Sequence, residues 1–171
     1  MTPDVVPSRH GKRPLLGLRE RPGRLALLFM RMPLRAYAHD RGHLLGHTFL
    51  QFTHVGRKTG NEYRAVAMVL AFDDSTTEAV VCAAWDTAWL QNLRTQAARN
   101  VKIDRLSFTP VQRFLTEDEA YDVIQEFQSA HPRRTALIAR VLGWGDLRDH
   151  STARKFAREH PFIAFRPQPD S

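Results

Sequence analysis

From residue 47 onward the chain alternates short apolar runs with polar turns. Stretches at about 47–55, 63–72, 78–84, 100–105 and 107–114 are apolar and end at turn residues such as Asp73-Asp74-Ser75. They predict five strands. Between the third and fourth, residues 87–97 read as a helix around the segment AWLQNL. A second helix starts at Thr116, where Thr116 and Glu119 form a capping box and Glu117 and Asp118 suit the positive helix end. Ala120, Val123, Ile124 and Phe127 give it one apolar stripe, and His131-Pro132 ends it. Residues 134–142, stopped by Gly143, predict a third helix, and 151–159 a short fourth. Residues 162–165 read as a last strand, closed by Pro167.

Upstream, 24–39 shows helical spacing through Leu25, Leu28 and Met32, with Pro33 as a bend and Gly42 and Gly46 as breakers. Residues 1–23 are rich in Pro, Arg and Gly and read as a mobile basic tail, leaving 24–171 as a single domain. Strands in meander order with inserted and appended helices predict an α+β fold around a small, mainly antiparallel barrel. Strand 63–72 has unlike faces. Bulky Val66, Met68, Leu70 and Phe72 predict the barrel interior, and small Ala65, Ala67 and Ala71 a face that a helix or planar ligand approaches.

Composition narrows the class. With 171 residues, 43% hydrophobic and 25% charged, the chain is long enough for a proper core and globular in balance. Its formal charge of +7 favours anionic partners. The single cysteine, Cys82, excludes a disulfide framework and a Cys-rich zinc site; it reads as a buried strand thiol in a reducing cytoplasm. No apolar run approaches the roughly 20 residues of a spanning helix, so stable membrane insertion is not expected, while peripheral association stays open.

The richest chemistry lies in the turn Gly56-Arg57-Lys58-Thr59-Gly60. Two cations and a hydroxyl share one hairpin tip, and two glycines allow positive φ and uncovered amides, which suits a phosphate. The plain alternative is a solvated basic hairpin. The order of residues is not that of a P-loop, and no helix follows it. At Trp85-Asp86-Thr87-Ala88-Trp89 a strand meets a helix. Asp86 or Thr87 can cap that helix, its free amides suit an anion, and Trp85 and Trp89 suit an aromatic ligand; core tryptophans beside an ordinary cap are the alternative. His54, just before the turn, either contacts a ligand or lies on the strand's outer face. His39, His43 and His47 are spaced four apart, but Gly42 and Gly46 interrupt them, and no metal site is expected. Trp144, between Gly143 and Gly145, reads as packing at the barrel mouth, with substrate contact as the alternative.

Taken together, LLGHTFLQFTHVGRKTG (44–60), AWLQNL (88–93), RFLTEDEA (113–120) and PFIAFRP (161–167) resemble the deazaflavin (F420)-dependent nitroreductase and quinone-reductase family of actinobacteria. The resemblance runs from Arg24 to Pro167. It implies a split β-barrel like that of FMN-binding pyridoxine-phosphate oxidases, with flanking helices. It also implies F420 as cofactor in preference to FMN, and an oxidoreductase passing a hydride to an unsaturated, quinone-like or nitro substrate. The cofactor-binding residues it implies are His54, Gly56, Arg57, Lys58, Thr59, Gly60, Arg64, Trp85, Asp86 and Trp89, with Asn92 tying down its helix. Two departures stand out. Residues 84–87 replace a longer Gly-rich, Lys-bearing loop, and no tyrosine occupies 133–136, so no proton donor or other catalytic side chain is named. A non-catalytic F420- or lipid-binding protein of the same fold is the alternative. A small-molecule substrate is expected, a homodimer is left open, and nucleic-acid binding rests on charge alone and is not expected.

Overall fold

The computed structural model describes residues 46–84 and 86–169. The expected tail at 1–23, the helix at 24–39, His39 and His43 lie outside the described residues. In chain order the elements are β1 (Phe49–Val55), β2 (Glu62–Asp73), β3 (Glu78–Cys82), α1 (Ala88–Thr95), β4 (Asn100–Ile103), β5 (Leu106–Phe108), β6 (Pro110–Phe114), α2 (Glu117–Ala130), α3 (Pro132–Leu142), α4 (His150–Glu159) and β7 (Phe162–Pro167).

The strands form one sheet in the order β5-β4-β1-β2-β3-β7-β6. Every neighbouring pair is antiparallel. β5 and β6 are the two edges, yet only Thr109 separates them in sequence. The sheet therefore has to curl until its edges approach, giving a nearly closed barrel in an α+β fold. Here the expectation of one strand at 107–114 is corrected. Proline has no N–H to continue a ladder. At Pro110 the chain changes partner, so β5 pairs with β4 while β6 pairs with β7.

β2 is long enough to serve both halves of the barrel. It pairs with β1 along its first part and with β3 along its second, and its register shifts between Val69 and Ala71. Such an irregularity bends a strand and changes which side chains face inward. Before it, Ala65, Ala67 and Val69 face the interior with Leu50 and Phe52; beyond it Phe72 does, while Leu70 and Ala71 pack toward the helices. The expected faces of this strand are thus reversed over most of its length. Leu50, Phe52, Val81 and Phe165 already fill the narrow interior, which leaves β2 room mainly for small side chains.

β3 and β7 are buried on both faces. Ala79, Val81, Ile163 and Phe165 point into the barrel; Val80, Phe162 and Ala164 point out against Ile124 of α2 and Ala153 and Phe156 of α4. That double burial explains their uninterrupted apolar runs. Cys82 is half-buried on the helix side, and burial pushes its thiol far above the ordinary range, so it behaves as a small apolar group.

The helix caps follow the sequence. Thr116 and Glu119 close a reciprocal capping box on α2, His131 ends it, and Gly143 ends α3 in the left-handed conformation. α3 begins at Pro132, two residues earlier than expected, because proline's fixed φ suits a first helical turn. Arg158 pairs with Glu117 at 3.1 Å, and Arg154 pairs with Asp118, binding α4 to α2. No helix among the described residues is long and apolar enough to cross a membrane.

Candidate functional site

The β1–β2 connection is a closed loop of hydrogen bonds. The Gly56 N–H donates to the Asn61 carbonyl at 2.8 Å, and the Gly60 and Thr59 N–H groups donate back to the Gly56 carbonyl at 2.8 and 3.2 Å. The Asn61 N–H reaches the Thr59 hydroxyl at 3.3 Å. Gly60 has φ +70°, a value glycine adopts without Cβ strain. Gly56 is required for closeness instead. A Cβ there would stand 2.6 Å from Thr59 Oγ1 and 2.7 Å from the Tyr63 ring. Tyr63, which faces His54 across the strand pair, closes the turn with its hydroxyl 3.1 Å from Thr59 Oγ1.

Gly56→Ala is accordingly expected to lower stability by about 1–3 kcal/mol through overpacking. Urea denaturation measures it, and an unchanged midpoint would mean that Tyr63 and Thr59 move aside freely.

One expectation about the turn is corrected. Its amides are not generally uncovered: those of Gly56, Thr59, Gly60 and Asn61 bond within the hairpin, and that of Arg57 bonds to α1. What the turn offers an anion is mainly side chains. Arg57, Lys58 and Thr59 are all exposed, as is Arg64 on β2, opposite Thr53 of β1. Among the described residues the ion pairs engage Arg113, Arg148, Arg154, Lys155 and Arg158. None engages Arg57, Lys58 or Arg64, so among the described residues these three cations carry no countercharge.

α1 is fixed beside the turn at two points. The Asn92 side-chain oxygen accepts from the Arg57 backbone N–H at 3.1 Å and from its guanidinium at 3.3 Å. The Asn92 amide nitrogen meets His54 Nδ1 at 3.0 Å. At the next residue Gln112 of β6 donates to the Leu93 carbonyl at 2.9 Å, and it accepts from the Ala98 N–H, just past the helix, at 3.1 Å. His54 is buried at 5% exposure, so it does not lie on an outer face, and burial alone lowers its proton affinity below the ordinary histidine range.

Thr87, one of the two residues expected as cap, caps α1 by accepting from the Leu90 N–H at 3.2 Å. Asp86 is exposed and accepts from Gln91 instead; no contact joins it to the turn. Trp89 is half-buried, its ring edge-on to Phe52 at 5.2 Å. Trp85 lies outside the described residues. The expected alanine wall does not form, because Ala67 belongs to the barrel core and Ala71 packs toward the helices. Trp144 packs on Phe156 at 4.6 Å, and together they line a small apolar cavity with Leu70, Ile124 and Leu147 on the helix side. No cation lines it, so it is no anion site. No cluster of metal-ligating side chains occurs among the described residues.

The structure therefore brings together Arg57, Lys58, Thr59, His54 and the α1 residues Trp89 and Asn92, and leaves Asp86 apart. Asn92 and Tyr63 are the site residues that sequence reasoning undervalued. Their signals are present: register counting from the turn sets Tyr63 against His54, and Asn92 is the polar member of an otherwise apolar buried face of α1. Chemically, the turn presents exposed positive charge and a hydroxyl, while the half-buried Trp89 indole, on the helix tied to the turn through Asn92, packs on Phe52.

No protein-family model matches the sequence, and no curated protein matches it. Similar solved structures include an F420-H2 dependent reductase (FDR-A), with 14% identity, a TM-score of 0.46, and coverage of 69% of this chain and 93% of that one. Another is HutZ, a heme storage protein of Vibrio cholerae, with 11% identity, a TM-score of 0.47, and coverage of 78% and 90%. A third is a pyridoxamine 5'-phosphate oxidase-related, FMN binding protein of Nostoc punctiforme, with 13% identity, a TM-score of 0.40, and coverage of 88% and 83%. At these identities the likenesses assign no cofactor and no reaction to this chain.

Proposed function

We propose that this chain is an F420H2-dependent oxidoreductase acting on an unsaturated, quinone-like or nitro substrate, with 24–171 as its single domain. The observation that carries the reading is the set of unpaired cations at the turn, one of which is tied to α1 through Asn92. Arg57 and Lys58 on the turn and Arg64 close by on β2 are exposed and have no ion-pair partner among the described residues, which leaves them open to an anion. A phosphate-bearing, multiply anionic cofactor supplies that charge.

The donor set fits such a group at its anionic end. Arg57 and Lys58 would contribute charge-assisted hydrogen bonds and Thr59 a hydroxyl, with Arg64 next along β2. Trp89 would flank the planar ring. When bound in its reduced form, the deazaflavin supplies the hydride. The chain's own part is binding and orientation: the closed turn would hold the phosphate end, and α1, anchored through Asn92 and Leu93, would set the position of Trp89 relative to it. The turn also favours the anion over neutral ligands. No side chain here is assigned as a proton donor.

The test is reoxidation of F420H2 by the purified protein across a panel of quinones, enones and nitroaromatics. Turnover proportional to protein concentration, and lost in the Arg57→Ala/Lys58→Ala variant, is the expected result. Tight binding without turnover across the panel would favour a non-catalytic F420-binding protein, the reading suggested by the short 84–87 segment. Absence of both would contradict the proposal.

A further inference from the structure

We infer that His54 is a positioning residue for the anion site: in its neutral form, with its proton on Nε2, it sets the orientation of the Asn92 amide, and that amide holds Arg57 in place. The link from His54 to Arg57 stands on geometry alone; its bearing on a bound cofactor rests on the function proposed above.

Hydrogen-bond polarity decides the arrangement. The Arg57 backbone N–H and guanidinium can only donate. The Asn92 atom that faces them at 3.1 and 3.3 Å is therefore its oxygen. The amide nitrogen is then the atom 3.0 Å from His54 Nδ1, and it too can only donate. Nδ1 must accept, so it carries no proton. The neutral ring therefore holds its proton on Nε2.

Protonation would place an N–H of the imidazolium against an N–H of Asn92. Rotating the amide relieves that clash but removes its oxygen from both Arg57 donors. Little around the ring favours the charged form. Tyr63 of β2 lies 5.9 Å away ring to ring, Phe52 on β1 is also 5.9 Å away, and α1 presents the neutral Asn92 amide to the ring; Arg57, beyond the amide, is a like charge. No carboxylate among the described residues pairs with His54. Burial disfavours the charged ring further.

The experiment is multiple-bond 15N–1H correlation spectroscopy on the ligand-free protein across about pH 5 to 8. The expected result is an Nε2-protonated His54 at the upper end. On acidification the Arg57 backbone amide should move with the same midpoint as the His54 ring, below the ordinary histidine value of 6.5. In Asn92→Ala, His54 still titrates and the Arg57 amide no longer follows. An Nδ1-protonated ring at the upper end, or a wild-type Arg57 amide indifferent to the His54 transition, overturns the inference. The wild-type spectra alone decide it should Asn92→Ala fail to fold. A second arm uses F420: Arg57→Ala and Asn92→Ala each weaken binding, and the double variant is no weaker than Arg57→Ala alone. Fully additive losses would show that Asn92 acts independently of Arg57. A wild type that does not bind F420 would contradict the proposed function and leave the spectra to judge His54.

Discussion

Phe52→Ala is expected to lower stability by about 3–5 kcal/mol, the usual range for emptying a buried phenylalanine site. Phe52 is 1% exposed at the centre of the barrel. Its ring stacks on Phe165 at 5.6 Å, meets the edge of Trp89 at 5.2 Å, and lies 5.9 Å from His54. Interiors are close-packed, so the cavity would relax only in part. The consequence extends to function, because the same ring supports α1 under Trp89. Urea denaturation followed by tryptophan fluorescence gives the stability loss. A loss below about 1 kcal/mol would mean that the core collapses freely around the site, and that α1 does not depend on this contact.

The second large effect concerns the turn. Replacing Arg57 or Lys58 by alanine should each weaken F420 binding by about 1–3 kcal/mol, the scale of hydrogen bonds to charged groups. The double variant should lose more than either single one, though not their sum, since both cations serve one anion. Both side chains are exposed, so salt screens them. The difference between wild type and the double variant should therefore shrink as ionic strength rises. Stability should change little in Lys58→Ala, which removes no internal contact. Arg57→Ala keeps its backbone N–H and forfeits only the 3.3 Å guanidinium bond to Asn92. A double variant that binds like the wild type at low salt would remove the turn from the cofactor site.

Much of the fold was legible because strand and helix periods differ and the caps carry local signatures. The capping box at Thr116 and Glu119 and the stops at His131 and Gly143 stand where the sequence sets them. What was not legible depends on closure. A single apolar run at 107–114 gives no sign that Pro110 hands the chain to the opposite edge of the sheet. The reversed faces of β2 likewise follow from which larger side chains already occupy the interior, a tertiary competition invisible in one strand.

The site divides in the same way. The 56–60 turn is contiguous, so its glycines, cations and hydroxyl could be read together. The Asn92 connection joins residues 35 and 38 apart in sequence and comes into being only when α1 packs on β1. Its residues are ordinary ones, and only the shared acceptor makes them a unit. Glycine content alone points to uncovered amides at the turn. In the folded hairpin those amides satisfy the turn itself, as buried or tightly turned backbone generally must.

The most direct measurement is a titration of the purified protein with F420 and, in parallel, FMN, followed by tryptophan fluorescence. Trp89, edge-on to Phe52 and one helical turn from Asn92, is a natural reporter. Saturable binding of F420 in preference to FMN, weakened in Arg57→Ala/Lys58→Ala, is the result predicted here. Binding of neither cofactor, or F420 binding indifferent to that double substitution, would contradict the assignment of the turn as the anchor of a deazaflavin phosphate.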